Sequence, residues 1–94
     1  MQLFQKIKNL VLENRYVIGQ HASERLDERG IMEWQIVVGV SKGELLLERT
    51  EALPNPAVEV SQTLEDGTEV KAVWSYLRAS DFAKLVTVHY FDER

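Results

Sequence analysis

The sequence contains no cysteine, which excludes disulfide bonds, thiolate metal ligands and thiol nucleophiles. It has only five Gly and two Pro among 94 residues, and it contains no low-complexity tract or internal repeat. No apolar run approaches the roughly 20 residues that span a bilayer. The first residues carry Lys6 and Lys8 within a helical pattern, so a secretory signal is not expected. These absences predict a cytoplasmic protein with no membrane partner.

The composition that remains is typical of a globular chain, with 45% hydrophobic and 28% charged residues. A chain of 94 residues buries enough surface for one domain, 1–94, and not for two. The net charge of −4 is unevenly spread, since residues 1–29 hold five basic and four acidic side chains while residues 30–94 hold six and eleven. We therefore expect any phosphate-facing surface to lie in the first third of the chain.

Helical periodicity dominates the first half of the sequence. Apolar residues at helical spacing predict an amphipathic helix over 2–14, followed by a short β-prone segment at 16–18. A second helix is predicted over 21–29, with Gly30 as its C-terminal cap. A third short helix is predicted over 33–41, although its β-branched residues also suit a strand.

The second half of the sequence has the alternation of β-strands. Strands are predicted over 44–50, on both sides of a two-residue Asp66-Gly67 turn, and over 84–91. Helices followed by strands predict an α+β fold, with the helices packed on one face of a roughly four-stranded antiparallel sheet. The opposite face is predicted to carry a polar set: Lys71, Ser75, Thr87 and His89.

The second predicted helix carries the one cluster of side chains that suggests chemistry. His21, Arg25 and Arg29 are spaced i, i+4 and i+8 and therefore share one helix face. The face can be a phosphate clamp with a histidine in proton-transfer reach. It can also be a salt-bridged structural surface, because Arg25 and Glu28 are spaced as an i, i+3 pair. The sequence leaves both interpretations open.

The same segment resembles a small bacterial family, domain of unknown function 4258, over about residues 16–90. The matching residues are His21, Ala22, Arg25, Leu26, Arg29, Gly30 and Ile31, then Gly43, Glu44, Pro54, Pro56, Gly67, Val86, Thr87 and Val88. The resemblance implies a fold similar to that of RelE-type and barnase-type ribonucleases, which cut RNA without a metal ion. It places His21, Arg25 and Arg29 in the candidate site. This sequence has Lys71 where such proteins often have a histidine, and His89 is the candidate substitute.

Metal-independent RNA cleavage requires proton transfer and stabilisation of a charged phosphorane. Histidine suits the proton transfer because its pKa lies near neutrality, and arginine and lysine suit the phosphorane. No cofactor is expected, and two histidines without paired ligand spacing do not predict a metal site. The candidate catalytic residues are His21, Arg25, Arg29, Lys71 and His89.

Two hypotheses follow, which differ in partner. The first is a ribonuclease-like toxin or toxin-derived domain that binds RNA. The second is a non-catalytic regulatory module that binds an antitoxin-like or other protein. The second draws on Leu45-Leu46-Leu47, which either exposes a leucine on a strand or is buried on both sides. Trp34 and Trp74 are predicted to pack in the core.

Overall fold

The computed structural model describes residues 2–91, which form three α-helices and a five-stranded mixed sheet around one core. The elements in chain order are α1 (Leu3–Leu12), β1 (Tyr16–Ile18), α2 (Gln20–Arg29), α3 (Glu33–Gly39) with a 3-10 turn (Val40–Lys42), β2 (Glu44–Arg49), β3 (Ala57–Thr63), β4 (Glu69–Leu77) and β5 (Phe82–Tyr90). The α+β class is confirmed, and β2 to β5 follow the helices as predicted, while β1 lies between α1 and α2.

The sheet corrects the prediction of about four antiparallel strands. Its strand order is β1-β5-β4-β3-β2, and β1 pairs in parallel with the start of β5. The other three pairs of neighbouring strands are antiparallel, as predicted. The short segment β1 adds the fifth strand because the chain passes along the edge of β5 before it turns into α2. A local β-prone run does not specify this long-range neighbour.

The helices pack on one face of the sheet, here called the helix face, and the other side is called the open face. The core lies between the helices and the helix face. It is formed by buried apolar side chains from every layer: Phe4, Ile7, Leu10, Val11, Ala22, Leu26, Ile31, Ile36, Val40, Val58, Val60, Leu64, Val70, Ala72, Trp74, Ala83, Leu85 and Val88. Alternation along β3 and β4 produces this burial, as the period of two predicts.

The two tryptophans have different environments. Trp74 is fully buried, as predicted, and its indole N–H donates to Gln62 Oε1 at 3.1 Å. Gln62 in turn donates to the carbonyl of Ile36 at 2.9 Å, so the buried polar atoms are satisfied and tie the sheet to α3. Trp34 is 51% exposed, and the prediction that it is a core residue is wrong. It lies in the first turn of α3, whose buried position is Ile36.

The hairpin between β3 and β4 has a three-residue loop instead of the predicted two-residue turn. Leu64 N–H donates to the Thr68 carbonyl at 2.8 Å, which leaves residues 65–67 in the loop. Gly67 takes the left-handed conformation, with φ of 89°, and its N–H donates to the Leu64 carbonyl. This is the common turn followed by a left-handed glycine. The extra loop residue sets the register of β4 against β3, and the register determines which side chains of β4 lie on the open face.

A β-bulge in β5 also changes the predicted faces. Val73 lies opposite Thr87 and Trp74 lies opposite Leu85, so Val86 has no opposing residue. Leu85 therefore shares the helix face with Val88, although strict alternation predicts that it shares a face with Thr87 and His89. The placement of Lys71, Ser75, Thr87 and His89 on the open face is confirmed by the register.

No helix within residues 2–91 is long and apolar enough to cross a membrane.

Candidate functional site

The chain passes from β1 into α2 through a single residue beside β5. Gly19 joins the two elements, and its N–H donates to the Leu85 carbonyl at 2.9 Å. A Cβ at position 19 would lie 2.8 Å from Lys84 Cε and 3.0 Å from the Leu85 carbonyl oxygen, so a larger residue would require the Lys84 side chain to move and the carbonyl to shift slightly. The junction thereby fixes where α2 begins relative to the sheet.

Burial of one side of α2 fixes its rotation. Ala22 and Leu26 are buried at i and i+4, and the helix ends at Gly30 as predicted. His21 and Arg25 precede these core positions by one residue and lie on the accessible side of the helix. The sequence motif thus becomes one continuous surface of His21, Arg25 and Arg29, here called the α2 cationic face.

The three side chains of the α2 cationic face are linked through direct contacts. Arg25 Nε approaches His21 Nε2 at 3.5 Å, a long hydrogen bond. Arg25 Nη1 lies 3.0 Å from Glu28 Oε1, which confirms the predicted i, i+3 ion pair. Arg29 Nη1 lies 3.6 Å from the same oxygen. Glu28 therefore bridges both arginines and supplies the internal anion of the structural interpretation.

Arg29 is the more buried of the two arginines of this face. Its side chain is only 12% exposed, against 40% for Arg25. The guanidinium carbon of Arg29 lies 5.6 Å from the centre of the Tyr90 ring, within the range of a cation–π contact. Because Tyr90 follows His89 on β5, this contact joins the α2 cationic face to the end of the sheet that carries the second histidine.

The other two predicted residues lie opposite each other on neighbouring strands. Lys71 on β4 pairs in register with His89 on β5, and both side chains belong to the open face. Lys71 Nζ lies 3.3 Å from Glu59 Oε1, while Arg49 Nη2 lies 2.6 Å from Glu59 Oε2. We call the three residues Arg49, Glu59 and Lys71 the sheet network. Each oxygen of its central carboxylate has its own cation.

The environment of His89 disfavours its protonation. Burial lowers the pKa of His89 from its ordinary value of 6.5, and the positive charges of Lys71, Arg29 and Arg25 lower it further. The negative charge of Glu59 acts in the opposite direction without reversing the effect. His89 Nε2 is buried and has no hydrogen-bond partner within residues 2–91. The imidazole is therefore neutral near pH 7.

At Glu59 the neighbouring charges favour the ionised form and outweigh the effect of burial. Burial raises its pKa, but the hydrogen bonds and charges of Arg49 and Lys71 outweigh burial, and the pKa falls below its ordinary value of 4.5. The carboxylate stays ionised and is an acceptor fully used by its two cations. Glu59 and Arg49 were not among the candidate residues predicted from the sequence. Glu59 alternates with Val58 and Val60, which places it on the open face, but its partners depend on the strand register.

The surface depressions of the molecule do not all lie at the predicted residues. Two lie on α2: one of about 390 Å³ includes His21 and Arg25 in its lining, and one of about 350 Å³ includes Arg25 and Arg29. Another, of about 450 Å³, lies on the open face beneath the β2–β3 connection and includes Glu59 in its lining. His89 lines none of these three depressions. Any substrate at the α2 cationic face would therefore first contact the helix and not His89.

Residues 2–91 contain no cluster of three or more His, Cys, Asp or Glu side chains that could hold a metal ion.

The chain matches a protein-family model. The model of the family described as domain of unknown function (DUF4258) matches residues 18–90, which is most of the chain and contains all five predicted site residues. Comparisons with curated proteins and with solved structures give no significant match.

Proposed function

Since the chain belongs to the family described as domain of unknown function 4258 and carries a linked cationic surface, we propose that it is a metal-independent, ribonuclease-like toxin or toxin-derived domain that acts on RNA in the cytoplasm. The observation that carries the proposal is the α2 cationic face, where His21, Arg25 and Arg29 lie along one side of α2 and Arg25 contacts His21 at 3.5 Å. Clustered positive charge of this kind attracts a phosphate.

The proposal includes a fold relationship to RelE-type and barnase-type ribonucleases. The support for it is the arrangement of helices that precede the sheet and cover one face, while the other face remains open. The parallel strand β1 is an addition to the antiparallel part of the sheet.

Proton transfer in this proposal falls first to His21. Its imidazole is exposed at the start of α2 and lies beside Arg25, so a phosphate bound by Arg25 would lie next to a group that can transfer a proton. His89 is the second candidate. Because it is neutral near pH 7, it would act as a proton acceptor, and its buried Nε2 must become accessible for that role.

The arginines would contact the phosphate and stabilise the charge of the phosphorane. Arg25 is paired with Glu28 on the surface, where both side chains are 40% or more exposed. Such exposed ion pairs contribute about 0–1 kcal/mol, so a phosphate can replace Glu28 at small cost. Arg29 would hold its position because it packs against Tyr90. Lys71 adds positive charge from the sheet.

The experiment compares growth of a bacterial host after induction of the wild type and of a His21→Ala/Arg25→Ala variant at equal folded levels. Purified wild type and variant are then compared for RNA cleavage in the presence of a chelator. We expect growth arrest and chelator-resistant cleavage with the wild type only. Lys8→Ala is the matched control, since it also removes one positive charge but lies on α1. Wild-type protein that neither arrests growth nor cleaves RNA would contradict the proposal.

A second candidate function is a non-catalytic module that binds a protein, such as an antitoxin-like or regulatory partner. Two observations favour it. Glu28 and Glu59 already pair with Arg25 and Lys71, which reduces the charge available to a phosphate. The leucines of β2 are also exposed. RNA affinity separates the two functions, since a phosphate-binding surface loses affinity steeply with added salt. A protein-binding module would show no RNA affinity at low salt.

A further inference from the structure

Strand β2 is an open edge of the sheet that exposes apolar side chains. It pairs with β3 on one side and ends the strand order on the other. Leu45, Leu46 and Leu47 are 37%, 42% and 46% exposed. Of the features that commonly keep an edge strand from pairing with another chain, β2 lacks proline and lysine but has a β-bulge and one inward-pointing charge, Glu48. The opposite edge, β1, is protected by its length of three residues.

The bulge at Leu46 gives β2 a symmetric pattern of faces. Glu44 lies opposite Ser61 and Arg49 lies opposite Ala57, so both charged residues are on the open face although they are five positions apart. The register shift between Leu45 and Leu47 produces this arrangement, since a regular strand would place Glu44 and Arg49 on opposite faces. Leu47 lies midway between them on the same face.

This pattern is self-complementary under a two-fold rotation. When β2 of a second copy is placed antiparallel and centred on Leu47, Glu44 faces Arg49 of the second copy, and Arg49 faces its Glu44. Opposite charges directly across an antiparallel pair are favourable. Leu47 meets Leu47 of the second copy at the axis, where apolar contact replaces exposure to water. Glu48 remains on the helix face, where it accepts the N–H of Phe4 at the start of α1.

From this complementarity we propose that the chain forms a symmetric homodimer in which the two β2 strands pair antiparallel and join the sheets. The partner that fits is a second copy and not an unrelated strand, because β2 itself contains both members of each charge pair, Glu44 at one end and Arg49 at the other. In the strand order, β3 and β4 lie between β2 and β5, the strand against which α2 packs. The dimer therefore leaves the α2 cationic face open and does not depend on the proposed ribonuclease function.

The test measures molar mass by size-exclusion chromatography with light scattering over a range of protein concentrations. Wild type is compared with Glu44→Arg, with Arg49→Glu and with an equimolar mixture of the two variants. We expect wild type at about twice 10.8 kDa. In a dimer of either variant alone, like charges face each other across the paired β2 strands. The dissociation constant of that dimer should be at least about tenfold higher than that of the wild type. The mixture should regain the dimer, because the arginine introduced in one variant faces the glutamate introduced in the other.

A second pair of variants separates interface effects from folding. Arg49→Glu also removes the contact with Glu59, so circular dichroism checks that each variant is folded. Leu47→Lys places two like charges at the axis without replacing a member of the sheet network, and it should give a monomer. Val17→Lys is the matched control on β1, where Val17 has a similar exposure of 41% and also lies on the open face, and it should leave the dimer intact.

The outcomes decide the proposal. A monomeric wild type at every concentration overturns it, as does a dimer that survives both charge reversals and Leu47→Lys. Failure of the mixed variants to regain the dimer overturns the antiparallel register. Recovery by the mixture supports the self-pairing of β2 in a way that general destabilisation of the fold cannot produce.

Discussion

The two arginines of the α2 cationic face share Glu28, and the two cations of the sheet network share Glu59, but the two arrangements are built in different ways. On α2, Arg25 and Glu28 are three residues apart, and both side chains are largely exposed. In the sheet, Glu59 is only 13% exposed, and its cations come from two other strands. The carboxylate of the first arrangement is open to solvent, while that of the second is shielded between its two cations. Similar sets of charged residues therefore contribute differently to stability when their burial differs.

The largest expected effect concerns RNA cleavage. If the proposed function holds, Arg25→Ala should reduce the rate by about 100-fold, because it removes a positive charge that stabilises the transition state. Lys71→Ala should reduce it less than about tenfold, since Glu59 already holds that ammonium. Single-turnover cleavage of a defined RNA measures both rates. Equal losses would show that the sheet network also binds the substrate.

The next effect is on the free energy of unfolding. Glu59→Gln should destabilise the fold by about 1–2 kcal/mol, because two cations lose a carboxylate that is mostly shielded from water. Glu28→Gln is the matched change on α2 and should cost less than about 0.5 kcal/mol. Urea denaturation at neutral pH measures both. A greater loss of unfolding free energy from Glu28→Gln than from Glu59→Gln would show that the ion pairs of α2 stabilise the fold more than the sheet network does.

The pH dependence of stability tests the environment of His89. Because the pKa of His89 is lowered in the folded state, the unfolded chain binds the proton more readily below about pH 6.5. Wild type should therefore lose stability relative to His89→Gln as the pH falls from 6.5 through the folded pKa, and not above that range. Denaturation at several pH values gives the difference. A titration of the His89 ring at or above pH 6.5 by NMR would contradict the prediction.

The smallest expected effect is that of salt. The stabilisation that Glu28 gives, at most about 0.5 kcal/mol, should vanish near 1 M salt, where the screening length is about 3 Å. The loss caused by Glu59→Gln should largely persist, because the low exposure of Glu59 limits screening. Repeating the urea series at low and high salt measures both. A parallel loss of the two effects would show that the sheet network is as accessible as α2.

The faces of the strands show how far the sequence could predict the candidate site. Alternation places Glu59 and Lys71 correctly on the open face. The predicted two-residue turn would shift the pairing of β4 with β3 by one residue. Lys71 would then lie opposite a β3 residue of the helix face, which conflicts with its predicted place on the open face. Burial of Val58, Val60 and Ala72 decides the conflict in favour of a three-residue loop. Turn signals alone therefore did not fix the partners of Glu59.

Local spacing in the sequence determined α2, its glycine cap, the shared face of His21, Arg25 and Arg29, and the α+β class. These features depend on residues within a few positions of one another, which is the range of helical and strand periodicity. Only the tertiary structure decided that β1 pairs in parallel with β5, that Glu59 lies between Arg49 and Lys71, and that His89 Nε2 is buried. Those contacts join distant segments, and their register is set by the burial of a common core and by bulges that no local pattern reveals.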